Sequence, residues 1–329
     1  MGVSLVRYLA DQGEPSWGIL DQNNIRRLDV TNEHHADVMS LFFGNRDAFD
    51  EALSGSVTAL DQVELLAPLS RRIQLIAQGL NYVDHRIEGG FKEKSTQDAS
   101  ETEENLLFFK ASSTISSPNA TILRPANTQL LDYEIELGIV LKRDVHEAVE
   151  VTEDNLNEYL GGIVLCNDVS SRDEMFGAPA MQWYKGKSQR TFCPTGPVLY
   201  LMEAQDFEHL YSLELELKLN GVTKQAASTS QLIHKPPKTI SELSRFNDLN
   251  AGDCVLTGTP GGVLTQLTPK SALAILLNMR NDAKRRQKFT QAQLAQTDFL
   301  KPGDRLELSI STPGGEIDLG CQNNDIADA

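Results

Sequence analysis

The chain has 329 residues, 40 % of them hydrophobic, and a formal net charge of −16. That length allows two domains, or one large domain with an accessory module. The acidic balance argues against nucleic acid and anionic membrane as partners, because both need a cationic footprint, and no run of about 18 apolar residues offers a membrane span.

Residues 1–20 lack the charged and long apolar regions of a signal peptide, so the cytoplasm is the expected compartment. Cys166, Cys193, Cys254 and Cys321 are scattered without a CxxC pair and read as reduced spectators.

At the start, "SLVRYL", "SWGILD" and "NIRRLDV" are short strand-like runs, with the polar turns "DQGEP" and "DQNN" between them. "HADVMSLFFGNRDAFDEAL" places Val38, Leu41, Phe42 and Phe49 at helical spacing, which predicts one or two amphipathic helices. Residues 1–68 therefore read as a small α+β module and 69–329 as a larger, strand-rich domain. The stretch 89–105, "GGFKEKSTQDASETEEN", is too polar to order itself by burial. It reads as a surface loop or a mobile lid beside a site.

From residue 106 strand-like runs recur: "LLFFKA", "LDYEIELGIVL", "GGIVLCND", "GPVLYL", "LELELKLNG", "DCVLTG" and "DRLELSI". Asn220-Gly221 marks a hairpin turn. There is no rhythm of strands alternating with long helices, so the expected fold is α+β, mostly β, with an antiparallel or mixed sandwich or barrel-like core. One segment differs. Residues 266–298 read as helix, with Thr268 as cap, Pro269 in the first turn and Leu273, Leu276 and Leu277 on one face. Its basic run "KRRQK" at 284–288 reads as a solvated helix face.

In "LDYEIELGIVL" the odd positions from Leu131 to Leu141 are apolar, while Asp132, Glu134 and Glu136 share the other parity. Period two predicts a half-buried strand. Residues i and i+2 project the same way about 6.5–7 Å apart, and like charges at about 4 Å repel by about 4 kcal/mol at an effective dielectric of 20. Such a face is either wet or holds a cation or a shared proton. Asp168 ends the apolar run "GGIVLCN", as a site residue or a turn cap would. Glu134, Glu136 and Asp168, with no His or Cys pair at ligand spacing, suit Mg²⁺ or Mn²⁺ rather than Zn²⁺. His85 and Glu88 fall on one face of a helical turn, where a carboxylate can orient an imidazole as a general base. "GKS" at 186–188 is no phosphate loop, because position 181 is Met where Gly is required. Lys187 is left as a cation for a developing oxyanion. "LTGTPGGV" is a turn, or a cradle in which Thr259 meets a substrate carboxylate.

Taken in order, "GLNYVDHRIE", "LLFFKASST", "DYEIELGIVL", "CNDVSSRDE", "GKSQRTFCPTGP" and "GDCVLTGTPGGV" resemble the fumarylacetoacetate hydrolase superfamily across residues 70–325. The N-terminal module resembles the accessory domain of its longer members. The resemblance implies a mixed β-roll catalytic domain and a homodimer acting on a small-molecule 2-oxo or diketo acid. It implies Mg²⁺ or Mn²⁺ on Glu134, Glu136 and Asp168, with His85, Glu88 and Lys187 catalytic. Thr259, Lys110 and Arg172 would bind substrate. The implied reaction is hydrolysis of a C–C bond in a 1,3-diketo or 2,4-dioxo acid of the acylpyruvate or fumarylpyruvate type. The alternative is decarboxylation, isomerisation or hydration of a 2-oxo acid such as oxaloacetate or a 2-oxo-heptenedioate. A metal-free binding protein is the reading from a different class. The chain departs from the pattern where Glu174 and Met175 follow Arg172-Asp173, since many relatives carry Gln two residues after that pair. The 89–105 stretch is longer than usual, and 266–298 resembles an insertion.

Overall fold

The computed structural model describes residues 2–10, 13–31, 33–177 and 181–329. Asp11 and Gln12 of the first polar turn lie outside them. The N-terminal apolar runs form strands Val3–Leu9 (β1), Pro15–Asp21 (β2) and Asn24–Leu28 (β3). Helices His35–Gly44 (α1) and Arg46–Glu51 (α2) and strands Leu53–Ala59 (β4) and Glu64–Leu66 (β5) follow. The chain continues through Leu75–Gly79 (β6), Val83–Glu88 (α3), Thr96–Thr102 (α4), Leu106–Lys110 (β7), Ile115–Ser116 (β8) and Ile122–Arg124 (β9). Next come Leu131–Asp132 (β10), Ile135–Leu141 (β11), Leu160–Asn167 (β12), Ser170–Ser171 (β13), Arg172–Gly177 (α5), Trp183–Lys187 (α6) and Cys193–Leu201 (β14). Glu214–Leu219 (β15), Val222–Ser228 (β16), Pro236–Leu243 (α7), Cys254–Leu256 (β17), Pro269–Leu277 (α8), Asp282–Leu294 (α9), Arg305–Ser311 (β18) and Asp318–Asp328 (β19) complete it.

Two sheets dominate. The larger runs β4-β3-β2-β1-β14-β12-β11-β17-β6-β7, antiparallel except for the parallel pair β17–β6. The smaller runs β16-β15-β18-β19-β9. This is the mixed, mostly β, α+β architecture expected. The N-terminal strands extend the large sheet, because β1 pairs with β14 in the register Val3↔Leu201 to Val6↔Val198.

β11 lies inside the large sheet, and its two faces enter different cores. Ile135, Leu137, Ile139 and Leu141 pack with Leu217 and Leu308 of the second sheet. Val140 packs on the other side with Phe42, Leu75 and Leu199. The half-buried strand expected here is therefore buried on both faces. Close packing also explains Gly138, where a Cβ would meet Val164 Cγ1 at 2.8 Å. The run is also broken, with Tyr133 and Glu134 outside both strands, because β10 pairs with β13 rather than with β12.

Local signals hold where local physics decides them. Asn220 and Gly221 both take positive φ, +52° and +78°, as a two-residue hairpin turn requires. Thr268 caps α8, accepting from the Ser271 N–H at 3.3 Å. The face shared by Leu273, Leu276 and Leu277, however, points to solvent. The basic run of α9 also departs from a solvated face. Arg285 is buried and donates to the Gly177 carbonyl at 3.0 Å, and Arg286 pairs with Glu174 and Asp173. In 89–105, α4 is ordered by tethers rather than by a core of its own. Ser95 caps it, Arg86 and Lys94 grip Glu103, and Lys238 reaches the Ser100 carbonyl.

His35 ties the N-terminal helix to the rest. It is fully buried; its Nδ1 accepts from the Ser70 N–H at 2.9 Å, so Nε2–H donates to the Gly252 carbonyl at 2.9 Å. Burial pulls its pKa down to about 3. The folded imidazole stays neutral while the unfolded one takes a proton below its ordinary 6.5, so stability falls as pH drops from there toward 3. His35→Leu should cost about 2–4 kcal/mol at pH 7.5 by orphaning both partners. The gap to wild type in urea unfolding should shrink by about 2 kcal/mol at pH 5; a pH-independent gap would refute this account.

Candidate active site

The β11–β12 register builds the centre. Ile135 pairs with Asn167 and Glu136 with Cys166, so the residues flanking these pairs meet. The Asp168 N–H donates to the Glu134 carbonyl at 2.8 Å, and the Asn167 side chain accepts from the Glu134 N–H at 3.1 Å. As a result Glu134, Glu136 and Asp168 each bring an oxygen within 4.8 Å of the others, all buried.

Three cations face this set. Lys187 Nζ lies 2.7 Å from Glu134 Oε2 and 2.6 Å from Asp168 Oδ2. Lys110 Nζ lies 2.6 Å from Asp168 Oδ1. Arg172 Nε donates to Asp132 Oδ2 at 2.9 Å, and its Nη2 forms an ion pair with Glu134 Oε1 at 2.6 Å that lacks hydrogen-bond geometry. Asp132 also accepts from the N–H groups of Leu264 and Thr265, so its oxygens are spent on structure. Burial would raise the Glu134 pKa, but Lys187 and Arg172 more than reverse it and hold the carboxylate ionised. Glu136 is the odd member. Burial, then the charges of Asp168 and Glu134, push its pKa well up, and the Gly258 N–H at 2.7 Å is its recorded donor.

Four buried carboxyl groups thus face three cations, and Glu136 is the one left without a cation of its own. The donors are hard oxygens, and the member without a cation of its own sits against the other two. This arrangement fits a divalent cation of the Mg²⁺ or Mn²⁺ kind.

A cavity of about 310 Å³ opens beside the cluster, and His85, Glu88, Glu134, Arg172, Lys187 and Thr259 line it. His85 Nδ1 lies 3.2 Å from Glu88 Oε2, and Glu88 Oε1 accepts from the Gly262 N–H at 2.7 Å. A carboxylate only accepts, so Nδ1 carries the proton and Nε2 offers its lone pair. Thr259 Oγ1 accepts from Gln225 Nε2 at 2.8 Å, which leaves its O–H to donate. Lys110, expected against substrate, is placed elsewhere. Its side chain is fully enclosed, and its ammonium is held by Asp168, the Val169 carbonyl and the Lys187 carbonyl. It is a strut under the cluster.

Two contributors, Asp132 and Gln225, were given no role by the sequence reading. Asp132 shares the parity of Glu134 and Glu136, and that was the available signal. Gln225 ties Thr259 and the Pro260 carbonyl to the Ile135 N–H; nothing in its local sequence marks it. Met175, at the position where Gln was expected, lines the cavity as an apolar group, while Glu174 turns away to Lys185 and Arg286. The insertion also reaches the site: Leu267 lines the cavity and its N–H donates to the Glu88 carbonyl at 2.9 Å.

Residues 74–327 match the family described as fumarylacetoacetate (FAA) hydrolase C-terminal, and residues 4–68 match Rv2993c-like, N-terminal. A 2,4-didehydro-3-deoxy-L-rhamnonate hydrolase of Sphingomonas sp. (strain SKA58) is 35 % identical over 241 residues, 73 % of this chain and 70 % of that protein. A mitochondrial oxaloacetate tautomerase of Bos taurus is 34 % identical over 203 residues, 61 % of this chain; the match spans 60 % of the bovine protein's length. Among solved structures, a fumarylacetoacetate hydrolase of Exiguobacterium antarcticum superposes with a TM-score of 0.74 at 26 % identity, covering 99 % of this chain and 100 % of the other.

The charge arrangement carries its own test. Arg172→Leu strips the buried Asp132 of its cation and should destabilise the fold by about 3–5 kcal/mol in urea unfolding. Arg172→Lys should recover part of that loss. A midpoint unchanged in Arg172→Leu would mean that the backbone N–H groups of Tyr133, Leu264 and Thr265 alone satisfy Asp132.

Proposed function

Because this chain belongs to the fumarylacetoacetate hydrolase family, we propose that it is a divalent-metal-dependent hydrolase that cleaves a C–C bond in a 2,4-dioxo carboxylic acid. The observation that carries the reading is the oriented His85–Glu88 pair opening on the same cavity as Glu134 of the carboxylate cluster. Glu134, Glu136 and Asp168 would hold Mg²⁺ or Mn²⁺, which when bound supplies Lewis-acid polarisation of substrate oxygens. His85 Nε2 takes a proton from a water molecule while Glu88 steadies the imidazolium. The hydroxide oxygen adds to the distal carbonyl carbon of the substrate. The C3–C4 bond then breaks, its electron pair passing into the enolate of the 2-oxo acid, and His85 returns the proton to C3. Lys187 has two of its three N–H donors on Glu134 and Asp168, and the third is available to the negative charge that develops. Thr259 donates its O–H to the substrate carboxylate. The products are a carboxylic acid and pyruvate or a substituted pyruvate.

A second reading is favoured by the similarity to the bovine tautomerase. There the same imidazole would carry a proton between the carbon and the enol oxygen of a small 2-oxo acid, with no bond cleaved. The homodimer implied by the resemblance belongs to the same proposal. No helix among the described residues is long and apolar enough to cross a membrane.

The test is turnover of acetylpyruvate, fumarylpyruvate and oxaloacetate with Mg²⁺ or Mn²⁺ supplied. Hydrolysis of an acylpyruvate should fall at least ~10²-fold in His85→Ala and vanish in Glu134→Ala. Oxaloacetate tautomerisation without acylpyruvate cleavage would favour the second reading. Independently of activity, Mn²⁺ should raise the melting temperature of chelator-treated wild type and leave that of Glu136→Gln unmoved; equal shifts in both would remove Glu136 from the metal site.

A further inference from the structure

The proposed chemistry accounts for one end of the substrate, and the cavity wall away from the cluster constrains the other. Phe108, with Lys187 Nζ 5.4 Å above its ring centroid, leads into that wall from the cluster, and the Trp183 ring centroid follows 5.1 Å from that of Phe108. Met175, Val263 and Leu267 continue the apolar lining. The apolar character does not stop at the mouth. Phe91, Leu106 and Met181 line the same cavity and are 46 %, 39 % and 47 % exposed. Large apolar side chains left in water around a cavity mark a surface that a ligand covers.

Charge gives the complementary constraint. A second carboxylate on the substrate would need a cation or several donors in this wall. Among the described lining residues the permanent cations are Arg172 and Lys187, and both are held at the cluster, where the oxo-acid head would lie. Besides Thr259, the neutral polar side chains of the lining are Thr265, whose Oγ1 is buried without a partner, and Gln78. Its amide nitrogen is spent on Asn105 Oδ1 at 3.0 Å and Thr239 Oγ1 at 2.9 Å. Its Oε1 is buried without a partner, so this amide has no free donor for a carboxylate.

We infer that the substrate is a monocarboxylic 2-oxo acid with an apolar tail, an alkyl chain of several carbons or an aryl ring, and that dicarboxylic acids bind poorly. The oxo-acid head rests on the function proposed above; the tail rests on the wall. The carboxylate and 2-oxo group lie toward the cluster, and the tail runs along Phe108 and Trp183 toward Leu106 and Phe91 at the mouth. Fumarylpyruvate and oxaloacetate would each put a second charge against apolar surface.

The experiment separates the tail from the reaction. Binding of 2-oxooctanoate and 2-oxosuberate to the Mn²⁺-loaded protein is measured by calorimetry. The two acids have the same length and differ in one terminal carboxylate, and neither has the 4-oxo group that hydrolysis requires. The expected result is at least ~tenfold tighter binding of 2-oxooctanoate, with the preference narrowed or reversed in Leu106→Arg. Equal or tighter binding of 2-oxosuberate, or binding of neither, overturns the inference. Turnover of hexanoylpyruvate and fumarylpyruvate is then read on the same protein. Cleavage of neither, with the binding preference intact, counts against the hydrolase reading and leaves the tail standing. Faster cleavage of fumarylpyruvate counts against the tail and leaves the hydrolase standing.

Discussion

Asp132, Glu134, Glu136 and Asp168 are buried together, and the structure depends on how that charge is balanced. Two carboxylates about 4 Å apart repel by about 4 kcal/mol at an effective dielectric of 20. Lys187 bridges two of them, Arg172 bridges another pair, and Lys110 supports Asp168 from behind. Each cation comes from a different part of the chain: β7, the start of α5 and the end of α6. The cluster can form only after the large sheet has brought β11, β12 and β7 into place. The sheet in turn holds β11 rigidly, because an apolar core packs on each of its faces.

That rigidity extends to the groups around the cavity. Glu88 is pinned by the Gly262 N–H, so the imidazole it orients is positioned by the loop after β17 as well as by α3. The insertion braces two walls at once. Leu267 bonds the end of α3, while Arg285 and Arg286 of α9 hold the end of α5, the helix that carries Arg172 and Met175. The Phe289 ring also packs 5.2 Å from Phe176. A segment that resembles an insertion in sequence therefore braces the apolar side of the site.

Much was legible where the deciding forces are local. A run of alternating residues makes a strand, Asn220-Gly221 makes a tight turn, and Thr268-Pro269 starts a helix, whatever lies elsewhere. The motif order was enough to bring Glu134, Glu136 and Asp168 into one proposed set, which the β11–β12 register does bring together. Burial was the less legible quantity. The acidic face of β11 was open to reading as wet, and the run "KRRQK" as solvated, because both judgements depend on what packs against them. Val140, Gly138 and Glu136 lie under neighbouring strands, and Arg285 lies under the end of α5.

The amino-acid sequence by itself determined the element types, the turn chemistry and the inventory of hard oxygen donors with an oriented imidazole. These follow from side-chain period, backbone preference and residue chemistry within a few positions. Only the tertiary structure decided that Lys110 lies beneath the cluster while Arg172 and Lys187 reach the cavity. It alone set Gln225 behind Thr259 and made the far wall apolar, with Met175 and Leu267 in it. Those outcomes come from contacts between residues tens to hundreds of positions apart, and their energies exist only once the sheets have closed around them.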